Sequence, residues 1–362
     1  MPMPVETVDV VVVGGGLAGV GAALTCAAAG LQTALIERRA VLGWEAAWAG
    51  QLGFTGGKSP LTRTVLQTCQ QVGAWGSGRV DAPVLEMALN HQVLAAGVLQ
   101  RNYWHPVQAA VAARLLTGLR CAGKSGQHQL HARVFLDADR LLPLWQIAGW
   151  PVVPPQGAAR STLFYNGLAH QPLTQPLALG GEQDLQLIPG IWPGELAIEY
   201  TLPQADSLSA LLILPELLSN LQRQFPHLKN GILTHASLES FPLAAPPPTP
   251  GRHPGFDNLL RVLPGPAPEA LNPVGHLLDA GVSAAHRLLE DWPAFSTTPA
   301  APTDWTPLPA PRLHHAEVLV CGGGTAGALA AIASARRGAH TALLESGTFL
   351  GGTGTGSVHT YY

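Results

Sequence analysis

A glycine turn that occurs twice limits what this chain can fold into more than any other feature. Val13–Gly19 reads Val-Gly-Gly-Gly-Leu-Ala-Gly, and Cys321–Gly327 reads Cys-Gly-Gly-Gly-Thr-Ala-Gly. Gly14, Gly15, Gly16, Ala18, Gly19, Ala22, Ala23, Ala27, Gly30, Thr33, Ala34, Leu35, Glu37, Leu42 and Gly43 all return 308 positions later, without a gap. One such turn is weak support for nucleotide binding. Two copies, each with the same acid downstream, are strong support.

Each copy has the parts of a strand–helix–strand unit. Val8–Val13 is apolar apart from Asp9, as suits a strand buried on both faces of a parallel sheet. Gly14 and Gly16 permit a tight turn and let the backbone approach a pyrophosphate, while Gly19 lets the next helix pack on the strand. Leu17–Ala29 reads as that helix, with its free N–H groups and positive dipole end facing the phosphates. Gly30 terminates it. Gln32–Ile36 is the second strand, and Glu37 at its tip can accept both hydroxyls of a ribose. The second copy repeats this with Val318–Cys321, Gly322, Gly324, Gly327, Thr325–Arg337, Gly338, His340–Leu344 and Glu345. An acid at the strand tip favours an unphosphorylated ribose, as in FAD or NAD. Arg38 and Arg39 could hold a 2′-phosphate, but Glu37 would repel it, and the two arginines read as solvated surface charges.

Composition excludes other classes. The 362 residues suggest two or three domains. Hydrophobic residues make up 47% and charged residues 12%, which fits a buried parallel sheet or a large partner surface. A net charge of −3 gives no reason to expect nucleic acid. Cys26, Cys69, Cys121 and Cys321 form no CxxC pair, so neither a metal site nor a redox dithiol is expected. Cys26 and Cys321 read as core residues. The apolar runs are too short to span a bilayer and no signal peptide is evident, so the expectation is a soluble cytoplasmic protein.

Along the chain, Pro60–Val72 and Pro83–Ala96 read as helices. The second carries an apolar stripe of Val84, Met87, Ala88, His91 and Leu94. Asn102–Ala113, Leu115–Cys121 and His128–Leu136 form an expected antiparallel meander, with a turn at Ala122–Gly126. From 151 to 250 the texture changes. Short strands at Thr162–Tyr165, Leu185–Ile188 and Leu196–Thr201, with a helix at about Leu208–Gln224, suggest an antiparallel cap over a cofactor. Leu243–Pro254 is a Pro-rich connection. Asn258–Val262 and Val274–Glu290 add a strand and a helix in a return segment, 251–292. A Pro-rich linker (293–312) then leads to the second, incomplete unit, 313–362.

This order resembles the FAD-dependent oxidoreductases of the glutathione-reductase-like two-dinucleotide-fold group. The resemblance rests on Asp9–Glu37, on Leu350-Gly-Gly-Thr at the end, on Ala-Arg-Val-Phe-Leu-Asp-Ala-Asp within His131–Gly149, and on Gly255–Val262 with the helix Gly275–Leu289. It implies an α/β fold with a Rossmann-like FAD-binding ββα domain over 1–150 and an antiparallel cap over 151–250. The start of a second Rossmann unit follows at the C-terminal end. FAD is the implied cofactor. Its implied contacts in the first copy are Gly14, Gly16, Leu17, Ala18, Gly19, Glu37, Arg38, Gly43, Val107, Asp137 and Ala138. In the second copy they are Gly322, Gly324, Thr325, Ala326, Gly327, Glu345, Gly351, Gly352 and Thr353. The helix Gly275–Leu289 is expected to point its N-terminus at the flavin pyrimidine.

Three departures from the family pattern bear on this. The expected Gly-Gly-Thr after Glu37 is Gly43-Trp44-Glu45, the expected Thr-Gly of the mid-chain motif is Asp139-Arg140, and Leu263-Pro264-Gly265 stands where Gly-Arg is usual. Glu45 or Asp139 near a pyrophosphate would cost Coulomb energy unless paired. The first copy is therefore either a modified or a degenerate FAD site. The second keeps a regular motif, but about 50 residues cannot close a sheet around a flavin. The expectation is a piece of a tandem protein, or a partner chain that completes the unit.

No catalytic residue is assigned. His359, Tyr361 and Tyr362 in the second copy, and Tyr103, His105, Tyr165, Asn166, His170 and Tyr200 in the first, are candidates for handling a small-molecule substrate. No metal cluster is expected, and His314-His315 reads as solvated. The leading reading is hydride transfer from a small organic substrate to FAD. The alternatives are a degenerate, non-catalytic scaffold or interaction subunit, and a chain with one FAD and one NAD site.

Overall fold

In the computed structural model, the described residues are 5–152, 157–168, 177–180, 184–203, 207–243, 251–262, 273–295, 304–308, 314–347 and 350–352. The chain divides into two units, residues 1–308 and 309–362.

Unit one begins with β1 (Val5–Thr7), β2 (Val10–Val13), α1 (Leu17–Ala28) and β3 (Thr33–Glu37). The run expected as one strand from Val8 thus starts at Val10, and the residues before it pair elsewhere. There follow α2 (Trp44–Ala47), α3 (Pro60–Gln71), the small hairpin β4 (Trp75–Gly76) and β5 (Arg79–Val80), α4 (Ala82–Ala95) and β6 (Leu99–Asn102). Ser59 and Asp81 cap α3 and α4, each accepting the backbone N–H three residues on, with proline in the first turn. The stripe expected on α4 is corrected. Leu85, Ala88, Leu89 and Val93 are buried, while Met87 and Leu94 are exposed. Apolar residues lie on both sides of this helix, and contact with the sheet layer selects the side that carries Leu85 and Leu89.

Next come β7 (His105–Ala112), β8 (Leu115–Gly123), β9 (Gly126–His131), β10 (Val134–Asp137) and α5 (Pro143–Ile147). The stretch expected as one strand from His128 to Leu136 is two, divided between two sheets at Ala132-Arg133. One sheet, ordered β1-β9-β8-β7, is the expected meander with β1 added in parallel to β9. The other is parallel, β10-β2-β3-β6. Its residues alternate strictly between two cores. Val10, Val12, Leu35, Val134 and Leu136 face the helical layer of α1, α3 and α4. Val11, Val13, Ala34, Ile36 and Phe135 face the meander through Ala109, Leu116, Leu119 and Leu130. This is the period-two alternation of a sheet with both faces covered.

The second half supplies an antiparallel sheet from β11 (Ala159–Asn166), β12 (Leu177–Gly180), β13 (Leu185–Pro189), β14 (Leu196–Leu202), β15 (Ile232–Ala236) and β16 (Phe241–Pro242), with the helix α6 (Ser207–Gln224) between β14 and β15 in the chain. The strand order is β12-β13-β14-β11-β15, with β16 also on β11. The chain returns through β17 (Leu259–Arg261), which adds to the parallel sheet beside β10, and α7 (Pro273–Glu290). α7 packs along α1 at very short range. A Cβ on Gly281 would collide with the Ala18 carbonyl, and one on Gly21 with the Leu278 carbonyl. β18 (Asp304–Trp305) pairs with β7, and Thr306 exchanges hydrogen bonds with Ala109. Part of the expected Pro-rich linker is therefore a strand of unit one.

Unit two holds β19 (Val318–Cys321), α8 (Thr325–Arg336) and β20 (Thr341–Leu344), with β19 and β20 paired in parallel. The register copies that of β2 and β3, but the burial does not. All four residues of β2 are buried, whereas Leu319, Leu329, Ile332 and Leu344 are exposed. Cys321, expected in a core, is exposed too, while Cys26 is buried.

Candidate dinucleotide-binding site

In both copies the acid at the strand tip first serves the glycine turn itself. Glu37 Oε2 accepts the Gly15 N–H at 2.6 Å, and Glu345 Oε2 accepts the Gly323 N–H. The next loop is anchored identically, with Gly43 N–H donating to Gly15 O at 2.8 Å and Gly351 N–H to Gly323 O at 2.9 Å. The backbone of the two turns is thus built alike. What lies against it differs.

In the first copy every glycine of the turn is matched by protein atoms. Gly14, at φ +103°, faces the Ala138-Asp139 backbone, 2.6 Å from where a Cβ would stand. Gly19 is pressed on the Gly14 carbonyl. Gly16 faces the Glu45 carboxyl, whose Oε1 lies 2.5 Å from the position of a Cβ. Glu45 Oε2 accepts the Leu17 N–H at 3.0 Å, so it takes the first free donor of α1. That is the position at which a helix N-terminus would bind a phosphate. Burial pushes the Glu45 carboxyl up to about 7, against the opposing pull of the Leu17 N–H and Arg39.

Neighbouring side chains close the space around it. Arg39, expected on the surface, is buried. Its Nε and Nη2 donate to Glu239 Oε1 and Oε2 at 2.9 and 2.8 Å, and its Nη1 donates to Glu37 Oε1 at 3.1 Å. Its guanidinium also lies 4.2 Å from the centre of the Trp44 ring. Glu37, fully buried, is pushed up by burial and by the Asp139 charge, and pulled down by Arg39. Phe241 lies between Trp44, at 6.2 Å between centroids, and the Arg140 guanidinium, at 4.8 Å. Arg38 pairs with Asp139 at 3.4 Å, so the Asp139 charge is balanced.

Beyond the turn, at the carboxyl ends of β2 and β3, a cavity of about 460 Å³ remains. It is lined in part by Gly14, Arg38, His105, Asp139 and Gln146. The crevice outside the carboxyl ends of parallel strands is where such folds bind ligands. Burial, then the Arg38 charge, lower the His105 pKa from its ordinary value, against the opposing pull of Asp139.

The contact residues expected in the first copy do not all meet at the turn. Gly14, Gly16, Leu17, Ala18, Gly19, Glu37 and Gly43 converge on the first turn, with Arg38 at the cavity beside it. Ala138 reaches the turn through its backbone, but Asp137 does not. Its carboxylate accepts the Leu144, Trp145 and Asp139 N–H groups and caps α5, and burial holds it well above the usual carboxylate range. Val107 lies in β7 beyond the cavity-lining Pro106. Of the substrate candidates among the described residues, His105 alone lines the cavity. Tyr103 carries Lys124 over its ring, Tyr165 and Tyr200 are buried in the core of the second sheet, and Asn166 is exposed and accepts the Gly167 N–H. His170, Thr353, His359, Tyr361 and Tyr362 lie outside the described residues. The N-terminal turn of α7 is anchored by Val274 N–H on the Gly53 carbonyl. No group of His, Cys, Asp and Glu among the described residues could hold a metal ion. Among those residues no helix is long and apolar enough to cross a membrane. Arg39 reads as a surface charge, and Glu239 and Phe241 carry no signal in the sequence. The odd Trp44-Glu45 was the one local signal that led toward them.

A family model described as FAD dependent oxidoreductase matches residues 9–163 and 317–362, more than half of the chain. The chain belongs to this family. The two matched stretches each begin at one of the glycine turns, and FAD is the cofactor of the family. Comparison with curated proteins finds no match. Similar solved structures include p-nitrophenol 4-monooxygenase from Pseudomonas putida, with a TM-score of 0.59, 13% identity, and coverage of 80% of this chain and 82% of that one. A flavin-dependent brominase gives 0.58 and 15%, covering 79% of each chain. A geranylgeranyl bacteriochlorophyll reductase-like protein from Thermoplasma acidophilum gives 0.53 and 15%, covering 80% of each. These likenesses show a shared Rossmann-like fold.

The two copies fit FAD differently. The first does not, because Glu45 holds the Leu17 N–H and lies in the space beside Gly16. In the second, no atom of the described residues stands within 4 Å of a Cβ placed on Gly322 or Gly324. Gly351 bridges Gly324 there, and Thr325 Oγ1 donates to the Gly351 carbonyl at 2.9 Å, which fixes the loop that carries Leu350-Gly351-Gly352 beside the α8 N-terminus. The second turn fits a phosphate.

Proposed function

We propose that this protein is an FAD-dependent oxidoreductase of tandem, glutathione-reductase-like build that uses its second turn to hold FAD. Hydride transfer from a small organic substrate is the reaction. The observation that carries this reading is that no described residue fills the space at Gly322 and Gly324, in a chain whose family match resumes at residue 317. Gly322, Gly324 and Gly327, with Ala326 and the α8 N–H groups, would receive the pyrophosphate. Glu345 would receive the ribose. Its pKa is lowered, first by the Gly347 N–H and then by that of Gly323, which favours the ionised carboxylate that a ribose hydroxyl would donate to. FAD, when bound, supplies the hydride acceptor, and the protein supplies orientation. Gly351, Gly352 and Thr353 would line the next stretch, with His359, Tyr361 and Tyr362 as candidates for substrate contact. The exposed Leu319, Leu329, Ile332 and Leu344 suit a covering protein surface, from a partner chain or from further residues of the same polypeptide. A cytoplasmic location belongs to the same proposal.

The test is the visible spectrum, cofactor mass and stoichiometry of the purified protein. Flavin is expected, and Gly324→Asp should abolish it by placing a side chain and a negative charge at the phosphate position. Unchanged flavin content in that variant would mean that the second turn is unoccupied. A protein that carries no flavin and takes up no added FAD would sink the redox reading. The scaffold reading, which the filled first turn favours, would then replace it.

A further inference from the structure

The first turn has a use that needs no dinucleotide. We infer that unit one is a self-filled copy of the FAD site, in which the Glu45 carboxyl substitutes for a phosphate at the α1 N-terminus and the unit folds without taking up a nucleotide. The chain carries its own comparison. The two turns share backbone hydrogen bonds and the strand-tip acid, yet Gly16 is packed on the Glu45 side chain while no described residue packs on the matching Gly324. The changed positions are those that do the packing. Trp44 and Glu45 replace the glycine and threonine found at Gly352 and Thr353 in the second copy.

Glu45 is an intramolecular ligand, so it meets the Leu17 N–H without the translational entropy cost that a free nucleotide bears. A phosphate would have to displace it from a site that Trp44, Phe241 and the Arg39–Glu239 pair also enclose. The retained glycines need no ligand to explain them. Gly14 meets the Ala138-Asp139 backbone, Gly16 meets Glu45 and Gly19 meets the Gly14 carbonyl. The cavity at the strand ends survives, but the phosphate anchor between it and α1 is taken.

The experiment uses the full chain with Gly324→Asp, so that only the first turn can respond. ADP and FAD are titrated by calorimetry, and melting is followed with and without each at millimolar concentration. No saturable heat and no rise in melting temperature are expected. Saturable binding of either compound would overturn the inference. Glu45→Thr in the same background gives the first turn the residue of the second and should tighten ADP binding at least tenfold. A folded Glu45→Thr protein that stays as inert as its parent would show that Glu45 is not what fills the site. Glu45→Gln keeps an acceptor for Leu17 and should fold and remain closed, and ADP binding by it would also overturn the inference. If Glu45→Thr does not fold, the parent and Glu45→Gln titrations decide. This outcome is separable from that of the second turn. A wild-type chain without flavin defeats the redox reading and leaves this inference standing.

Discussion

At the scale of single residues, buried charges organise unit one. The Glu45 carboxyl has an ordinary value of 4.5, raised in the fold to about 7 by burial. Between those values the folded protein holds a proton that the unfolded chain releases. The contribution of Glu45 to stability is therefore greatest below pH 4.5 and is lost as the pH rises through about 7. The unfolding free energy of wild type minus that of Glu45→Gln should fall by about 3 kcal/mol across this window, as measured by urea titration at several pH values. A flat difference would mean that the carboxyl is not buried. Arg39 is the partner of both Glu37 and Glu239. Arg39→Met should cost about 3–5 kcal/mol in the same assay, because the buried Glu37 loses its paired guanidinium and Glu239 keeps only the longer contact with Arg38. Removing Glu239 as well should recover part of that loss. Little of this could be read in the sequence. Leu17 and Glu45 lie 28 positions apart, and Arg39 and Glu239 lie 200 apart. No local periodicity connects them, so Arg39 read as solvated.

At the scale of elements, local pattern served well wherever one element has one environment. The β2–α1–β3 unit, the meander, α6 and α7 lie within a few residues of their expected positions, because apolar runs, glycine stops and capping residues are local signals. Pattern failed where the environment changes inside a run. His128–Leu136 passes from one sheet to another, and α4 has apolar residues on two sides of which only one meets the core. The α1–α7 contact shows what glycine does in a helix pair. Gly21 and Gly281 let the two backbones approach until no side chain fits between them. Gly281→Ala should destabilise unit one by about 3 kcal/mol or more, since its Cβ meets a backbone carbonyl that cannot swing aside. Thermal and urea unfolding check this, and a loss below about 0.5 kcal/mol would mean that the helices slide apart freely.

At the scale of the whole molecule, the two units differ in how fully their sheets are covered. The strands β2 and β10 are buried throughout, between a helical layer and a meander. β19 and β20 present exposed apolar residues. Amide hydrogen exchange should therefore be slowest in β2 and β10 and much faster in β19 and β20, because local opening of unit two exposes little new apolar surface. Equal protection of both pairs of strands would show that another surface covers unit two in solution. The sequence by itself determined the family, the doubled strand–helix–strand pattern and FAD as the cofactor to consider, since glycine turns and strand-tip acids act through their immediate neighbours. Tertiary structure alone decided that the first turn is filled. Whether a helix N-terminus is free for a phosphate depends on which distant side chain reaches it first, and here Glu45 reaches one and no described side chain reaches the other.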